Sequence, residues 1–188
     1  MARHRLQKLA LAISALALAV PAFAQIAPGF SEPETKLDGI RQSLEMGCFL
    51  AVAGRPFPGI NQPLLGMKGE GLKSQRAAPA WLAPFLATEG HNQLSLLNTP
   101  QGPVWIAFNH AKRDCRIAVQ TAKPADVRDG LISKLADDIG KWKVTGFAVD
   151  RVTLSKKIDG SSIEWTAEIA TPAVAPDVVV VTMSASGR

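Results

Sequence analysis

The sequence is short of the residues that build metal centres and catalytic clusters. Its 188 residues include only two cysteines and three histidines, whereas a structural zinc site usually takes four clustered Cys or His ligands. It contains neither the G-x-S-x-G nucleophile elbow nor the H-E-x-x-H metalloprotease motif. We therefore expect no metal site and no cofactor, and the commonest hydrolase signatures are absent.

Long apolar runs are also lacking, except at the N-terminus. Residues 1–24 combine a basic start, an apolar run over residues 9–20 and an A-x-A motif that ends at Ala24. The run is too short for a comfortable membrane-spanning helix, and the whole pattern is typical of a secretory signal peptide. We expect cleavage near Ala24, which leaves a periplasmic or secreted chain with no membrane span.

Without residues 1–24, the sequence also lacks a large excess of positive charge. The formal net charge is +5, from 21 basic and 16 acidic residues. Three of the basic residues (Arg3, Arg5 and Lys8) and none of the acidic ones lie in residues 1–24, so 18 basic and 16 acidic residues remain, a net of +2. This is not the basic footprint of a nucleic-acid binder. The expected partner is a protein or another envelope component, not nucleic acid, and the oligomeric state is left open.

Two segments carry the apolar spacing of an amphipathic helix. Ser31 is expected to cap the first, with the Glu34 carboxylate reaching back. Its apolar stripe consists of Leu37, Ile40, Leu44, Cys48 and Val52. The second helix is expected to begin at Lys123-Pro124, since proline suits a first turn. Its stripe consists of Val127, Leu131, Leu135 and Ile139.

A Gly/Pro-rich stretch follows the first helix at residues 54–78. It shows little periodicity and is long for a connection inside a compact domain, which predicts a functional or mobile loop. Its glycines lack the G-K-[ST] of a phosphate-binding loop. Residues 79–86 are expected to form one or two helical turns.

Strands are indicated by alternating apolar and polar residues at 104–108 and 115–119, and by short apolar segments at 94–97 and 177–183. Pairing Phe108 with Cys115 places Ile106 opposite Ile117, so that the apolar faces of a hairpin match. Short connections between neighbouring strands favour antiparallel pairing.

A second hairpin is predicted around Asp159-Gly160, a dipeptide typical of two-residue turns. With that turn, Leu154 would face Trp165, and Arg151 would face Glu168 as an opposite-charge pair.

These elements predict an α+β fold. We expect an antiparallel sheet of about five to six strands in two hairpin-rich groups, with two main helices packed on one face. The expected organisation is a signal peptide over 1–24, a flexible lead-in and helix cap over 25–34, and a single domain over 35–188.

The two cysteines are expected to form a disulfide. Cys48 lies on the buried stripe of the first helix, and Cys115 lies on the apolar face of a strand, so a helix packed on that face would bring them together. A reactive thiol is the alternative, but the sequence has no C-x-x-C spacing and a buried helix face is a poor place for a thiolate.

The candidate binding residues come from a skewed aromatic set and one basic loop. The chain has four tryptophans and no tyrosine. Trp81 and Trp105 are the two that could line a pocket or partner surface, while His110, Lys112 and Arg113 could bind an anionic group.

We therefore expect an exported, non-catalytic binding or accessory module of the cell envelope, with no catalytic residues assigned. Two alternatives stay open. One is a small hydrolase or transferase that uses His110, and the other is a small-ligand carrier with a site between sheet and helices.

Overall fold

The computed structural model describes residues 33–53, 73–75, 77–86, 93–109, 112–137, 141–157 and 162–186. These residues form an α+β fold built on one antiparallel sheet, which confirms the expected class. The strands are β1 (Lys73–Gln75), β2 (Gln93–Leu97), β3 (Val104–Asn109), β4 (Asp114–Gln120), β5 (Lys143–Phe147), β6 (Arg151–Lys157), β7 (Glu164–Ala170) and β8 (Val178–Ser186). Their order across the sheet is β1-β2-β3-β4-β8-β7-β6-β5.

The strand count is larger than the five to six expected. The two additional strands, β1 and β5, are the two edges of the sheet. β1 has only three residues and lies inside the stretch 54–78 that was expected to be a loop. β5 carries mostly exposed side chains, so it lacks the apolar alternation by which a strand with one buried face is recognised.

The first helical region is continuous but not uniform. It consists of α1 (Lys36–Gln42), a π-helical segment (Ser43–Cys48) and α2 (Phe49–Val52). The predicted cap, Ser31, lies outside the described residues. The helix begins after Thr35, whose Oγ1 accepts a hydrogen bond from the Asp38 backbone N–H at 3.1 Å. A threonine hydroxyl satisfies one of the otherwise unpaired N–H groups of a first turn.

The predicted stripe of this region faces the core. Ile40, Leu44, Cys48 and Val52 are all buried. Gly39 brings α1 close to β3, because a Cβ at this position would lie 2.7 Å from Thr99 Cγ2 and 3.2 Å from Val104 Cγ2.

The hairpin of β3 and β4 has the predicted register. Phe108 pairs with Cys115 and Ile106 pairs with Ile117, and all four side chains are buried. The predicted disulfide between Cys48 and Cys115 is present, with the two Cα atoms 5.2 Å apart. It joins the π-helical segment to the centre of the sheet.

The second predicted helix is α4 (Pro124–Leu135), and it begins at the expected proline. Leu131 and Leu135 are buried, while Ile139 of the predicted stripe lies outside the described residues. Lys134 Nζ donates to Asp38 Oδ1 at 2.6 Å, which ties α4 to α1.

The opposite face of the sheet is also covered, which the expectation of helices on one face did not include. The short helix α3 (Ala83–Leu86) and its lead-in place Leu82 and Leu86 there. They form an apolar cluster with Trp105, Ala107, Ala118, Val178 and Val180. The centre of the sheet is therefore buried on both faces, which matches the fully buried pattern of β3.

The register predicted for the second hairpin is wrong by two residues. Leu154 pairs with Ala167, not with Trp165, and Trp165 pairs with Lys156. A shift of two keeps every side chain on its predicted face, because the side-chain period of a strand is two. Arg151 Nη1 still lies 3.7 Å from Glu168 Oε2, as a diagonal pair. The Asp159-Gly160 turn itself lies outside the described residues.

None of the helices in the described part of the chain is long and apolar enough to cross a membrane.

Candidate functional site

The exposed large hydrophobic side chains of the described residues fall in two places. Val144, Phe147 and Val149 lie along β5 and the turn after it. Trp81 is 44% exposed and Val174 is 88% exposed, and both line the same groove at one end of the sheet. An exposed tryptophan beside a concave apolar surface is the more specific signal for binding.

The aromatic groove has a volume of about 430 Å³. Its lining consists of Trp81, Pro84, Phe85, Gln120, Val174, Ala175, Pro176, Asp177 and Val178. Two proline-containing connections form its walls. The Ala175 N–H donates to the Pro172 carbonyl at 3.0 Å, and the Leu82 N–H donates to the Pro79 carbonyl at 2.9 Å. Local turns therefore hold both walls.

A polar trough of about 860 Å³ adjoins this groove. Its lining consists of Lys36, Leu37, Gln101, Gln120, Thr121, Ala122, Lys123, Asp126, Val127 and Asp177. Gln120 and Asp177 line both spaces, so the groove and the trough meet at these two residues. Together they form a surface with aromatic rings at one end and charged side chains at the other.

The junction is organised by hydrogen bonds. Gln120 Nε2 donates to Asp177 Oδ2 at 2.6 Å, and Lys36 Nζ donates to the Gln120 carbonyl at 2.7 Å. The Thr121 N–H also donates to the Asp177 carbonyl at 2.7 Å. These contacts hold the end of β4 against the start of β8 and fix the position of the Asp177 carboxylate.

The charges of the trough balance. Lys36 and Lys123 oppose Asp126 and Asp177, and Lys123 Nζ lies 3.7 Å from Asp126 Oδ2. Burial lowers the pKa of Lys36, because removal from water disfavours the ammonium form. The trough therefore does not have the net positive charge of an anion-binding site.

The structure separates the predicted binding residues. Trp81 lines the groove, but Trp105 is only 9% exposed and packs in the apolar cluster with Leu82 and Leu86. Trp105 supports the wall that carries Trp81, and direct contact with a ligand stays a prediction.

The basic loop lies elsewhere. Lys112 and Arg113 are exposed in the turn between β3 and β4, where the Lys112 N–H donates to Asn109 Oδ1 at 3.0 Å. They precede β4, whereas the groove adjoins its last residue, Gln120. The length of that strand separates them by about 20 Å. His110 lies outside the described residues. Lys112 and Arg113 therefore do not share a site with Trp81.

Sequence reasoning missed most of the groove. Phe85, Val174 and Asp177 were not selected, since nothing in their local sequence marks them as neighbours of Trp81. Pro172 and Pro176 are the one local signal, because they indicate a turn that exposes the residues between them.

A second polar cluster lies between the first helical region and the sheet. Burial raises the pKa of Glu45, while Arg41 and Lys156 oppose the shift and Asp137 adds to it. Arg41 Nε lies 4.0 Å from Glu45 Oε2. These groups occupy a packed interface. Across the described ranges, no group of three or more His, Cys, Asp or Glu side chains is placed to hold a metal ion.

Comparison with known proteins gives no relative, since no family model, curated protein or solved structure matches the chain.

Proposed function

We propose that this protein is an exported, non-catalytic binding or accessory module of the cell envelope. The observation that carries the proposal is the aromatic groove, where Trp81 is exposed on a concave apolar surface. Tryptophan is enriched among the residues that dominate binding energy at protein interfaces. The groove is the surface by which the module holds its partner.

Export is supported by two independent features. Residues 1–24 have the basic, apolar and small-residue parts of a signal peptide. The Cys48–Cys115 disulfide fits an oxidising compartment such as the periplasm or the exterior. Mature protein recovered from such a compartment should begin at Gln25 and take up no alkylating label without reductant. Full-length protein found only in the cytoplasm would contradict export.

Trp81→Ala tests the groove. It removes the exposed indole ring from the groove and should reduce recovery of the co-purified partner by at least roughly tenfold, the scale of a strong interface residue. Phe147→Ala is the matched control, because Phe147 is 76% exposed but lies on the edge strand β5. Recovery should be unchanged for Phe147→Ala. Equal recovery with both variants would contradict the placement of the site.

A small-ligand carrier is the second candidate, and the polar trough favours it. Its volume of about 860 Å³ lies within the usual range of small-molecule sites. Native mass spectrometry of protein purified from cells should then show a retained ligand, which Gln120→Ala would lower. A spectrum that shows only protein without a bound ligand would count against a carrier. The hydrolase or transferase that uses His110 stays a prediction of the sequence.

A further inference from the structure

We propose that the aromatic groove takes an extended peptide segment of a partner protein, one that carries lysine or arginine beside an apolar residue. This inference rests on the proposed function and names the chemistry of the partner. The sequence did not suggest it, because the residues that carry it come from three separate segments of the chain.

The shape and lining of the combined surface favour an extended peptide. Trp81, Pro84 and Phe85 offer aromatic and proline surfaces of the kind that receive apolar side chains and proline. Beyond the junction, Gln101, Gln120 and Thr121 bring amide and hydroxyl groups to the trough. Gln101 Oε1 and Thr121 Oγ1 already accept the backbone N–H groups of Lys36 and Lys123, which leaves the amide N–H groups of Gln101 and the hydroxyl hydrogen of Thr121 as donors. Such groups pair with the N–H and C=O groups that an extended backbone leaves available.

The charge at the junction selects a cation. Asp177 is the charged residue among the described residues that line the groove. Its carboxylate is oriented by the 2.6 Å hydrogen bond from Gln120 Nε2, and it adjoins the surface of Trp81 and Phe85. A lysine or arginine side chain can lie over an aromatic ring while its charged group binds a carboxylate. The cation–π contact and the charge-assisted hydrogen bond then both stabilise the complex.

The two lysines of the trough do not reverse this preference. Lys36 Nζ is hydrogen-bonded to the Gln120 carbonyl, and Lys123 lies against Asp126. Neither lysine lines the aromatic groove. A fatty acid is a poorer occupant, because its carboxylate would meet Asp177 wherever its chain filled the apolar end. Nucleic acid is disfavoured by the same carboxylate.

The test is selection from a phage-displayed library of random twelve-residue peptides on the folded mature protein. Peptides that bind wild type should be enriched in lysine or arginine next to apolar residues or proline. One enriched peptide is then synthesised, and its Kd is measured by calorimetry for wild type, Trp81→Ala, Asp177→Asn and Phe147→Ala. Thermal unfolding of each variant checks that the fold is kept.

We expect Asp177→Asn to weaken binding roughly two- to fivefold, because it removes the exposed ion pair and leaves the cation–π contact with the aromatic ring in place. Asparagine keeps the acceptor for Gln120 and loses only the charge. Trp81→Ala should weaken binding at least as much, and Phe147→Ala should leave it unchanged. The difference between wild type and Asp177→Asn should shrink at high salt.

The outcomes separate the inference from the function on which it rests. Peptides that depend on Trp81 but are neutral or acidic, and are insensitive to Asp177→Asn, would overturn the cationic peptide and leave the binding groove standing. Peptides that bind equally well to Trp81→Ala would overturn both. A library with no enriched peptide would overturn the peptide as occupant.

Discussion

Two acidic side chains of the first helical region, Asp38 and Glu45, have pKa values shifted in opposite directions. The Asp38 carboxylate accepts a hydrogen bond from the Lys134 ammonium at 2.6 Å and another from the Thr35 hydroxyl at 2.6 Å. These hydrogen bonds, from Lys134 first, lower the pKa of Asp38, so its ionised form stabilises the fold at neutral pH. The pKa of Glu45, seven residues further on, is shifted in the opposite direction.

Burial raises the pKa of Glu45, and this predicts how stability changes with pH. The folded state holds the Glu45 proton more tightly than the unfolded state, so the contribution of Glu45 to stability falls as pH rises from its ordinary pKa through the raised one. Glu45→Gln keeps the shape and removes the titration. We expect the variant to gain stability relative to wild type as pH rises through that window.

Urea unfolding of both proteins over a pH series from about 4 to 7, around the ordinary pKa of a glutamate, measures the effect. Arg41, Lys156 and Asp137 are the charged groups that face Glu45 from the neighbouring elements, and they are unchanged in the variant. If the free energies of unfolding of wild type and Glu45→Gln differ by the same amount at every pH of the series, the raised pKa of Glu45 is contradicted.

At the scale of elements, close contact between α1 and β3 depends on Gly39. A methyl group there would lie 2.7 Å from Thr99 Cγ2, and Thr99 is held by its own hydrogen bond to the Gly102 carbonyl at 2.6 Å. We expect Gly39→Ala to destabilise the protein by about 1–3 kcal/mol, the usual cost of overpacking. The gain in helix propensity would not offset this.

Gly130→Ala in α4 is the matched control. Its added methyl would lie 3.0 Å from Leu37 Cδ2, the end of a half-buried and flexible side chain. We expect a change much smaller than that of Gly39→Ala, or a small gain from helix propensity. Chemical denaturation measures the free energy of unfolding of the two variants. Equal losses of this free energy would contradict the claim that the close approach of α1 to β3 requires glycine at position 39.

The Cys48–Cys115 disulfide links a helical segment to a strand 67 residues away in sequence. Its contribution to the free energy of unfolding can therefore be predicted. A loop of that length corresponds to about 4 kcal/mol in the chain-entropy account. Replacing both cysteines with alanine should lower the free energy of unfolding by about that amount. A loss below about 1 kcal/mol would mean that the packing around Cys48 and Cys115 does not need the bridge.

How much of the fold could be predicted depended on how local its signal was. The stripe around Ile40 and Leu44 and the register of Phe108 with Cys115 were predicted, because their periodicity lies within one or two neighbouring segments. β1 was missed because it has only three residues, and β5 was missed because its side chains are mostly exposed. The register of Leu154 was wrong by two residues, since Lys157 pairs with Glu164 and the connection between these strands is longer than a two-residue turn.

The candidate site was predicted less well than the fold. Trp81 could be singled out because it is a large aromatic residue next to a turn-rich segment. Its partners Gln120 and Asp177 could not, since they come from the end of β4 and the start of β8, which only the assembled sheet brings together.

At the scale of the whole molecule, the centre of the sheet is covered on both faces and is linked to the first helical region by a disulfide. The groove and the trough both lie at the end of β4, where Gln120 lines the two spaces. Turns closed by backbone hydrogen bonds form both walls of the groove, and a preorganised surface lowers the entropic cost of binding.

Photo-crosslinking in cells tests this account most directly. A benzophenone amino acid is placed at Val174, which is 88% exposed in the groove, or at Val149, which is 94% exposed after β5. We expect a discrete adduct from position 174 that Trp81→Ala removes, and no such adduct from position 149. Equal adducts from both positions, or an adduct at 174 that survives Trp81→Ala, would contradict the groove as the binding surface.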